Sequence, residues 1–466
     1  MLQFRLLFFT ILISAGVFAQ KFEAFSTDTL KFIEEWEPYL IQESPDKQSA
    51  SERLKVFKAF WLEGQLGTDY KDWFMETVNA MRSSKIRAYP SMLLMAEALE
   101  AFTESTEPFS QEQWVSWSTT VQSLIKKKQV RLLSDFLEHS VLLFKNGIIH
   151  AEGAFVYKIY GHRFLFACDS FPSIRITQSA ITGFNKTEDS VRVQQADVIF
   201  YPHSTKFYGS RGILSWHKSG NSAANAELYR FTWDAHSGNL VADSAFFQGN
   251  RYVQSRQSGR VTDKMVHETQ AITYPRFESN SKRVVLKNIY PDVDFEGGFS
   301  IRGDNFIGFG NSQQPGSIIL KRDQKSFLRV ISKNFSMNSN AIMSAFAAVR
   351  IYLDNDSIYH PAVKFTYLLN QKKASIFRGD DGLQKSPFQN TFHKLAMYVE
   401  QIEWNKHSDT LAFNFLTRKT ETEAFFESSD FFSKERSEYL KFGEQVSPVI
   451  QLHKLYLQLN KSELIP

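Results

Sequence analysis

Carboxylates are the side-chain type dense enough along this 466-residue chain to suggest acid/base or cation chemistry. Asp292 and Asp294 are two residues apart, so on an extended strand both would face one side. Paired acids in that position could do glycosidic acid/base work or hold a calcium ion. Asp354 and Asp356 repeat the spacing, and Asp380-Asp381 forms a further acidic pair. Tight turns between strands need the same residue types, and turn formation is the first reading of all three pairs. Other catalytic signatures are missing. GxSxG, GxxxxGK and GxGxxG do not occur, and His267-Glu268-Thr269-Gln270-Ala271 lacks the second histidine of a zinc-protease helix. With the 11 histidines scattered, neither a metal nor a cofactor is expected.

Aromatic side chains offer a second kind of site, because flat rings on a β-surface stack on sugar rings. Trp216, Tyr229, Trp233 and Tyr252 are the candidates for such a ligand-binding face. Core packing competes with that reading, since period-two alternation turns half of each strand inward. Arg302-Gly303-Asp304 and Arg378-Gly379-Asp380 each spell an adhesion tripeptide, but strand-like flanks make the Gly-Asp pairs hairpin turns first. The single cysteine, Cys168, can form no intramolecular disulfide and reads as a small buried hydrophobe.

These residues must be positioned by two kinds of element. From about Thr27 to Lys145 the apolar spacing is helical, with about six short helices. Ser49 to Glu52 and Ser110 to Gln113 read as capping boxes, Gly67 as a stop, and Pro90 as a helix start. The aromatic stripes, such as Trp114 and Trp117, read as core. After Asn146-Gly147 the period switches to two, as in Val191 and Val193 or Tyr229, Phe231 and Trp233. Turn signals recur at Ser237-Gly238, Gly249-Asn250, Ser258-Gly259, Gly303-Asp304, Asn355-Asp356 and Gly379-Asp380. No long helix interrupts, which excludes a parallel α/β sheet. A further helical stretch runs through Phe431 to Phe442 and Ser447 to Leu459.

The expected fold is therefore α+β and multidomain. Residues 1–19 read as a signal peptide, 20–145 as a helical bundle or helical-hairpin array, 146–425 as a long antiparallel β-rich region (solenoid, jellyroll or stacked sheets), and 426–466 as a short helical segment. The leader reading rests on Arg5, the apolar run Leu6 to Ile13 and the small residues before Gln20. Nothing later approaches ~18 uninterrupted apolar residues, so the mature chain is not expected to be integral to the membrane. A net charge of +4, or +3 once Arg5 leaves with the leader, gives no basis for nucleic-acid binding. The Lys126-Lys127-Lys128 run complements a helix dipole. About 30 of the 43 phenylalanines lie beyond residue 140, where large rings can supply the burial that disulfides would otherwise provide.

Two stretches look like copies of one rung: Ala196-Asp197-Val198-Ile199-Phe200-Tyr201 running to Gly209, and Ala242-Asp243-Ser244-Ala245-Phe246-Phe247 running to Gly249. This pattern resembles the OstA-like lipopolysaccharide-transport family, which implies a β-jellyroll with an apolar groove and carries over no binding residue. Tyr274-Pro275-Arg276-Phe277, Asn288 to Phe299 and Tyr352 to Pro361 resemble large uncharacterised exported proteins of the Bacteroidetes type. That resemblance implies a longer parent chain and brings no activity with it. The reading that results is an exported scaffold or binding protein of the cell envelope, in the periplasm, at the surface or secreted, without catalytic activity. Its partner would be an envelope glycan, a lipid or a protein. The alternatives are a polysaccharide-active enzyme using Asp292 and Asp294, and lipid or lipopolysaccharide handling in a jellyroll groove.

Overall fold

A computed structural model describes residues 24–63, 66–187, 189–219, 223–266 and 273–415, with 425–428, 430–432, 434, 438 and 448–459 beyond them. The leader, His267 to Ala271 and most of Phe431 to Phe442 lie outside the described residues. Among the described residues, six N-terminal helices precede 24 strands, and a helix at Pro448–Leu459 follows, so the chain is α+β with a long antiparallel β-rich region. Two compact units emerge. The first holds the described residues of Met1–Ser215, Glu227–Ala242 and Asp263–Glu268, and the second those of Trp216–Ala226, Asp243–Thr262 and Thr269–Pro466.

In the first unit the helices are α1 (Thr29–Glu43), α2 (Lys47–Leu62), α3 (Thr68–Ser83), α4 (Ser91–Thr103), α5 (Gln111–Lys126) and α6 (Val130–Asn146). Their starts follow local chemistry. Asp28 caps α1 by accepting from the Leu30 and Lys31 backbone N–H groups, and Ser110 and Gln113 form a reciprocal capping box on α5. The expected box at Ser49 to Glu52 is replaced by an Asp46 cap three residues earlier, whose carboxylate accepts from Ser49 N–H at 3.0 Å. With the helix already begun at Lys47, Ser49 lies in its first turn and is not the cap. Gly67 does not stop α2, which ends at Leu62; it starts α3. Gly147 ends α6 in the left-handed region at φ 65°, as a glycine cap should. Phe32, Trp36, Phe57, Trp61 and Phe74 pack ring on ring, with centroids 5.3–6.1 Å apart, and carry the helical core.

The strands of both units share one irregularity. In the first unit, Pro172–Asn185 pairs along its first half with Phe164–Cys168 and along its second with Phe155–Tyr160. Between the halves, Thr177 and Gln178 both face out, and Gln178 sits at φ 45°. The neighbouring strand Ser190–Tyr201 does the same at Gln194 and Gln195 (φ 47°), and Asn225–Asp234 at Tyr229 and Arg230 (φ 50°). Each is a bulge that inserts one residue, so inward and outward exchange places. The Gln178 N–H freed by the bulge donates to Asp197 Oδ1 on the adjacent strand at 2.9 Å. The second unit repeats the device: Lys287 and Asn288 (φ 51°) face out on Val284–Tyr290, and Asn288 N–H donates to Asp294 at 3.0 Å. Ala345 and Phe346 on Ala341–Leu353, and Pro361 and Ala362 on Asp356–Leu368, mark the same step.

Three expected turns move. Ser258-Gly259 lies inside the strand Gln257–Lys264, where a Cβ on Gly259 would stand 2.2 Å from Glu278 O and 2.4 Å from the Phe277 ring. The glycine is there for close backbone approach, not for a turn. The hairpin after Leu353 turns on Asp354-Asn355, one residue before the expected pair, with Asp354 at φ 53°. Gly303-Asp304 does join paired strands, whereas Gly379-Asp380 leads from Lys373–Phe377 into a 3-10 turn at Gly382–Lys385.

One buried polar pair stands out in the first unit. His139 on α6 donates from Nδ1 to Asp135 O at 2.7 Å, so its neutral ring offers only a lone pair at Nε2. That lone pair faces His150 Nδ1 at 3.2 Å, which must therefore be the donor. His150 Nε2 is left bare, buried and without a hydrogen-bond partner among the described residues, 4.0 Å from Glu152. Burial drops the His150 pKa to about 4, with His139 and His236 pushing the same way.

Candidate functional site

The paired carboxylates do not share a site. Asp292 is a turn residue at φ 63° between Tyr290 and Val293, so the period of two does not extend from it to Asp294. It is ion-paired with Lys406 Nζ. Asp294 lies inside the strand Val293–Arg302, and its buried carboxylate accepts from Asn288 N–H at 3.0 Å, Lys321 Nζ at 2.7 Å and Lys287 Nζ at 3.1 Å. Burial pushes the carboxyl up, but the Lys321 ammonium, the Asn288 N–H and Lys287 outweigh it and hold the pKa below its ordinary value. Such an acid stays ionised and occupied. Asp294→Asn keeps an oxygen for Asn288 but gives up the charge opposite two lysines, so a loss of about 1–2 kcal/mol is expected in urea unfolding. Wild-type stability in this variant would show that the lysines do not hold the bulge.

The remaining acidic positions are turn, loop or strand-end residues. Asp354 is in the hairpin turn, Asp356 accepts from Thr391 Oγ1 at 2.9 Å, and Asp380-Asp381 lies in the loop before Gly382–Lys385. Among the described residues no three His, Cys, Asp or Glu side chains are grouped to hold a metal ion. Cys168 is half-buried rather than buried, with Lys127 Nζ 3.9 Å from its sulfur.

Three of the four candidate stacking rings are core. Trp216 is fully buried beside Phe247 and donates to Gly303 O at 3.2 Å. Trp233 lies against Tyr157 and Phe207, and Tyr252 against Tyr290 and Phe306. Tyr229 was expected to share a face with Phe231 and Trp233, but the bulge at Arg230 turns it outward and leaves it half-buried. None of the three buried rings has a face free to stack on a sugar. Not every late phenylalanine supplies burial: Phe425 and Phe426 are exposed on the strand Phe425–Ser428. The two Ala-Asp rungs also differ: Asp197 caps a bulge, whereas Asp243 is exposed and pairs with Arg260 at 2.9 Å.

The concavity best suited to a ligand lies elsewhere, in the second unit. A groove of about 510 Å³ opens where the strands Lys325–Ser332, Ala341–Leu353 and Asp356–Leu368 step outward. Its apolar lining is Pro315, Ile331, Phe346, Ala348 and Pro361. The step is held open by serine hydroxyls. Ser344 Oγ donates to Ser332 Oγ at 2.8 Å, and Ser332 Oγ donates to Phe346 O at 2.7 Å, satisfying the carbonyl that the bulge takes out of the ladder. The Phe346 ring is thereby turned out and is 68% exposed. A large apolar ring beside a groove of ligand size is the usual composition of a binding site. Sequence reading missed Phe346 because it takes a single phenylalanine among small residues as one more inward ring. The available signal was the slip of the alternation between Ile342 and Val349, where Ser344 and Ala347 are both buried.

No family model, no curated protein and no solved structure matches this chain, so what the groove binds has to be argued from its own residues.

Proposed function

We propose that this is an exported, non-enzymatic binding or scaffold protein of the cell envelope, with the groove at Phe346 as its ligand surface. The observation that carries the reading is the 68% exposed ring on a groove of about 510 Å³. Export rests on the leader at residues 1–19, and no described helix is long and apolar enough to cross a membrane. A polysaccharide-active enzyme draws no support from carboxylates that are each bound to their own lysine. Lipid carriage inside a jellyroll draws none from strand cores filled by rings such as Phe200, Phe207 and Trp233. The mature chain should bind isolated envelope glycan without releasing reducing ends, and Phe346→Ala should weaken that binding several-fold while leaving the melting temperature unchanged. Turnover of the glycan overturns the proposal.

A further inference from the structure

We infer that the sheet face running from this groove past Arg329 and Arg350 binds an acidic polysaccharide; the inference rests on the binding reading above and names its ligand class. Arg329 on Lys325–Ser332 stands directly opposite Arg350 on Ala341–Leu353, and Arg350 directly opposite Tyr359 on Asp356–Leu368. Both arginines are exposed, while their neighbours Val330 and Val349 are buried, so the two guanidinium groups share the outer face. Like charges directly opposed across a ladder destabilise it. Here no carboxylate relieves them: among the described residues neither arginine forms an ion pair, and Glu296, the acid lining the recess beside Arg329, is bound to Arg283. Each guanidinium is nevertheless held in place by a hydroxyl. Arg329 Nε donates to Ser317 Oγ at 3.2 Å, and Arg350 Nη1 to Ser357 Oγ at 3.1 Å, with the Tyr359 ring centre 4.9 Å from Arg350. The rest of each planar fork is turned to solvent, in the geometry that takes a carboxylate by two parallel hydrogen bonds.

The surroundings narrow the anion. Ile331 and Ala348 lie two residues from the arginines, about 7 Å along the strands, and belong to the Phe346 groove. Two residues the other way, Phe327 and Tyr352 line a second recess of about 550 Å³, whose rim carries Arg322 and Lys325 as well as Asp323 and Asp354. Aromatic rings thus flank the positive charge on both sides, Phe346 on one and Phe327 with Tyr352 on the other. An amphiphile with its charge at one end would fill one side only, whereas a polymer with charge along its length fills both. All three strands are paired along both edges, so an extended acidic peptide finds no free edge to join. Flat rings beside carboxylate receptors suit sugar rings that carry carboxylates.

Calorimetric titration of the full mature chain with polygalacturonate, dextran and poly-L-glutamate tests this. Polygalacturonate is expected to bind, dextran to bind at least about tenfold more weakly, and affinity to fall as salt rises. The double variant R329Q/R350Q should lose about tenfold in affinity for polygalacturonate with an unchanged circular dichroism spectrum and a melting temperature no lower than wild type, since it relieves the opposed charges. F346A should lose several-fold on an independent contact. Unaltered affinity in R329Q/R350Q, dextran binding as tight as polygalacturonate, no binding of polygalacturonate, or tighter binding of poly-L-glutamate each overturns the assignment. Dextran binding as tight as that of polygalacturonate and dependent on Phe346 would do so while leaving the broader binding reading standing, and hydrolysis of a glycan would remove that reading.

Discussion

Trp233→Ala is expected to lower the unfolding free energy by about 3–5 kcal/mol, the largest effect of any single truncation in the strand core of the first unit. The indole is 1% exposed and wedged against Tyr157, at 5.1 Å, and Phe207, at 5.8 Å. Removing it empties a site whose walls are themselves large rings, fixed by their own neighbours and slow to collapse inward. A milder substitution separates packing from hydrogen bonding. The Trp233 Nε1–H has no hydrogen-bond partner among the described residues, so Trp233→Phe forfeits volume but no bond and should cost less than about 1.5 kcal/mol. Urea unfolding followed by circular dichroism reads both. If Trp233→Ala were as stable as wild type yet failed to bind glycan, the ring would belong to a binding surface.

Acidification should destabilise the first unit through His150 by about 3 kcal/mol between pH 7 and pH 4. The ring titrates near pH 6.5 when unfolded and near 4 when buried, so between those values the unfolded chain binds the extra proton. Its stabilising contribution is complete above about pH 6.5, falls as the pH drops towards 4, and changes no further below that. His139 is also depressed by burial and acts with the same sign. Carboxylates elsewhere contribute to acid unfolding, so the informative quantity is the difference between wild type and His150→Phe. The variant should be less sensitive over this range by roughly the stated amount. Equal sensitivity in the two proteins would mean that Glu152, 4.0 Å from the bare nitrogen, swings in and accepts the proton's charge.

The helical half of the fold was legible because its signals are local. Pro90, Ser110 with Gln113, and Gly147 each act within one turn of helix, and each stands where the residue type requires. Where two cap residues stood close together, as at Asp46 and Ser49, the earlier one starts the helix. The existence of the strands was legible for a similar reason, since β-branched and aromatic alternation is a short-range property. Their faces were not. A single residue at positive φ, such as Arg230 or Asn288, reverses everything after it, and Tyr229 was assigned the wrong side on that account. Arg329 and Arg350 lie 21 positions apart and become neighbours only through the register of two strands, which no spacing rule anticipates. Asp292 and Asp294 failed in the opposite way: their closeness in sequence suggested a partnership that the turn at Asp292 breaks.

The bulges at Gln178, Gln195, Arg230 and Asn288 also bear on how a chain with one cysteine and many similar strands avoids pairing wrongly. Alternating strands of comparable length can slide by two residues and still bury an apolar face, so hydrophobicity alone tolerates several alignments. A strand with one extra residue at a set height can match its neighbour in one alignment only. Sliding would move the bulges at Gln178 and Asn288 out of reach of Asp197 and Asp294, the aspartates that receive their N–H groups. The inserted residues thus work like the teeth of a key. They make mispaired hairpins costly during assembly.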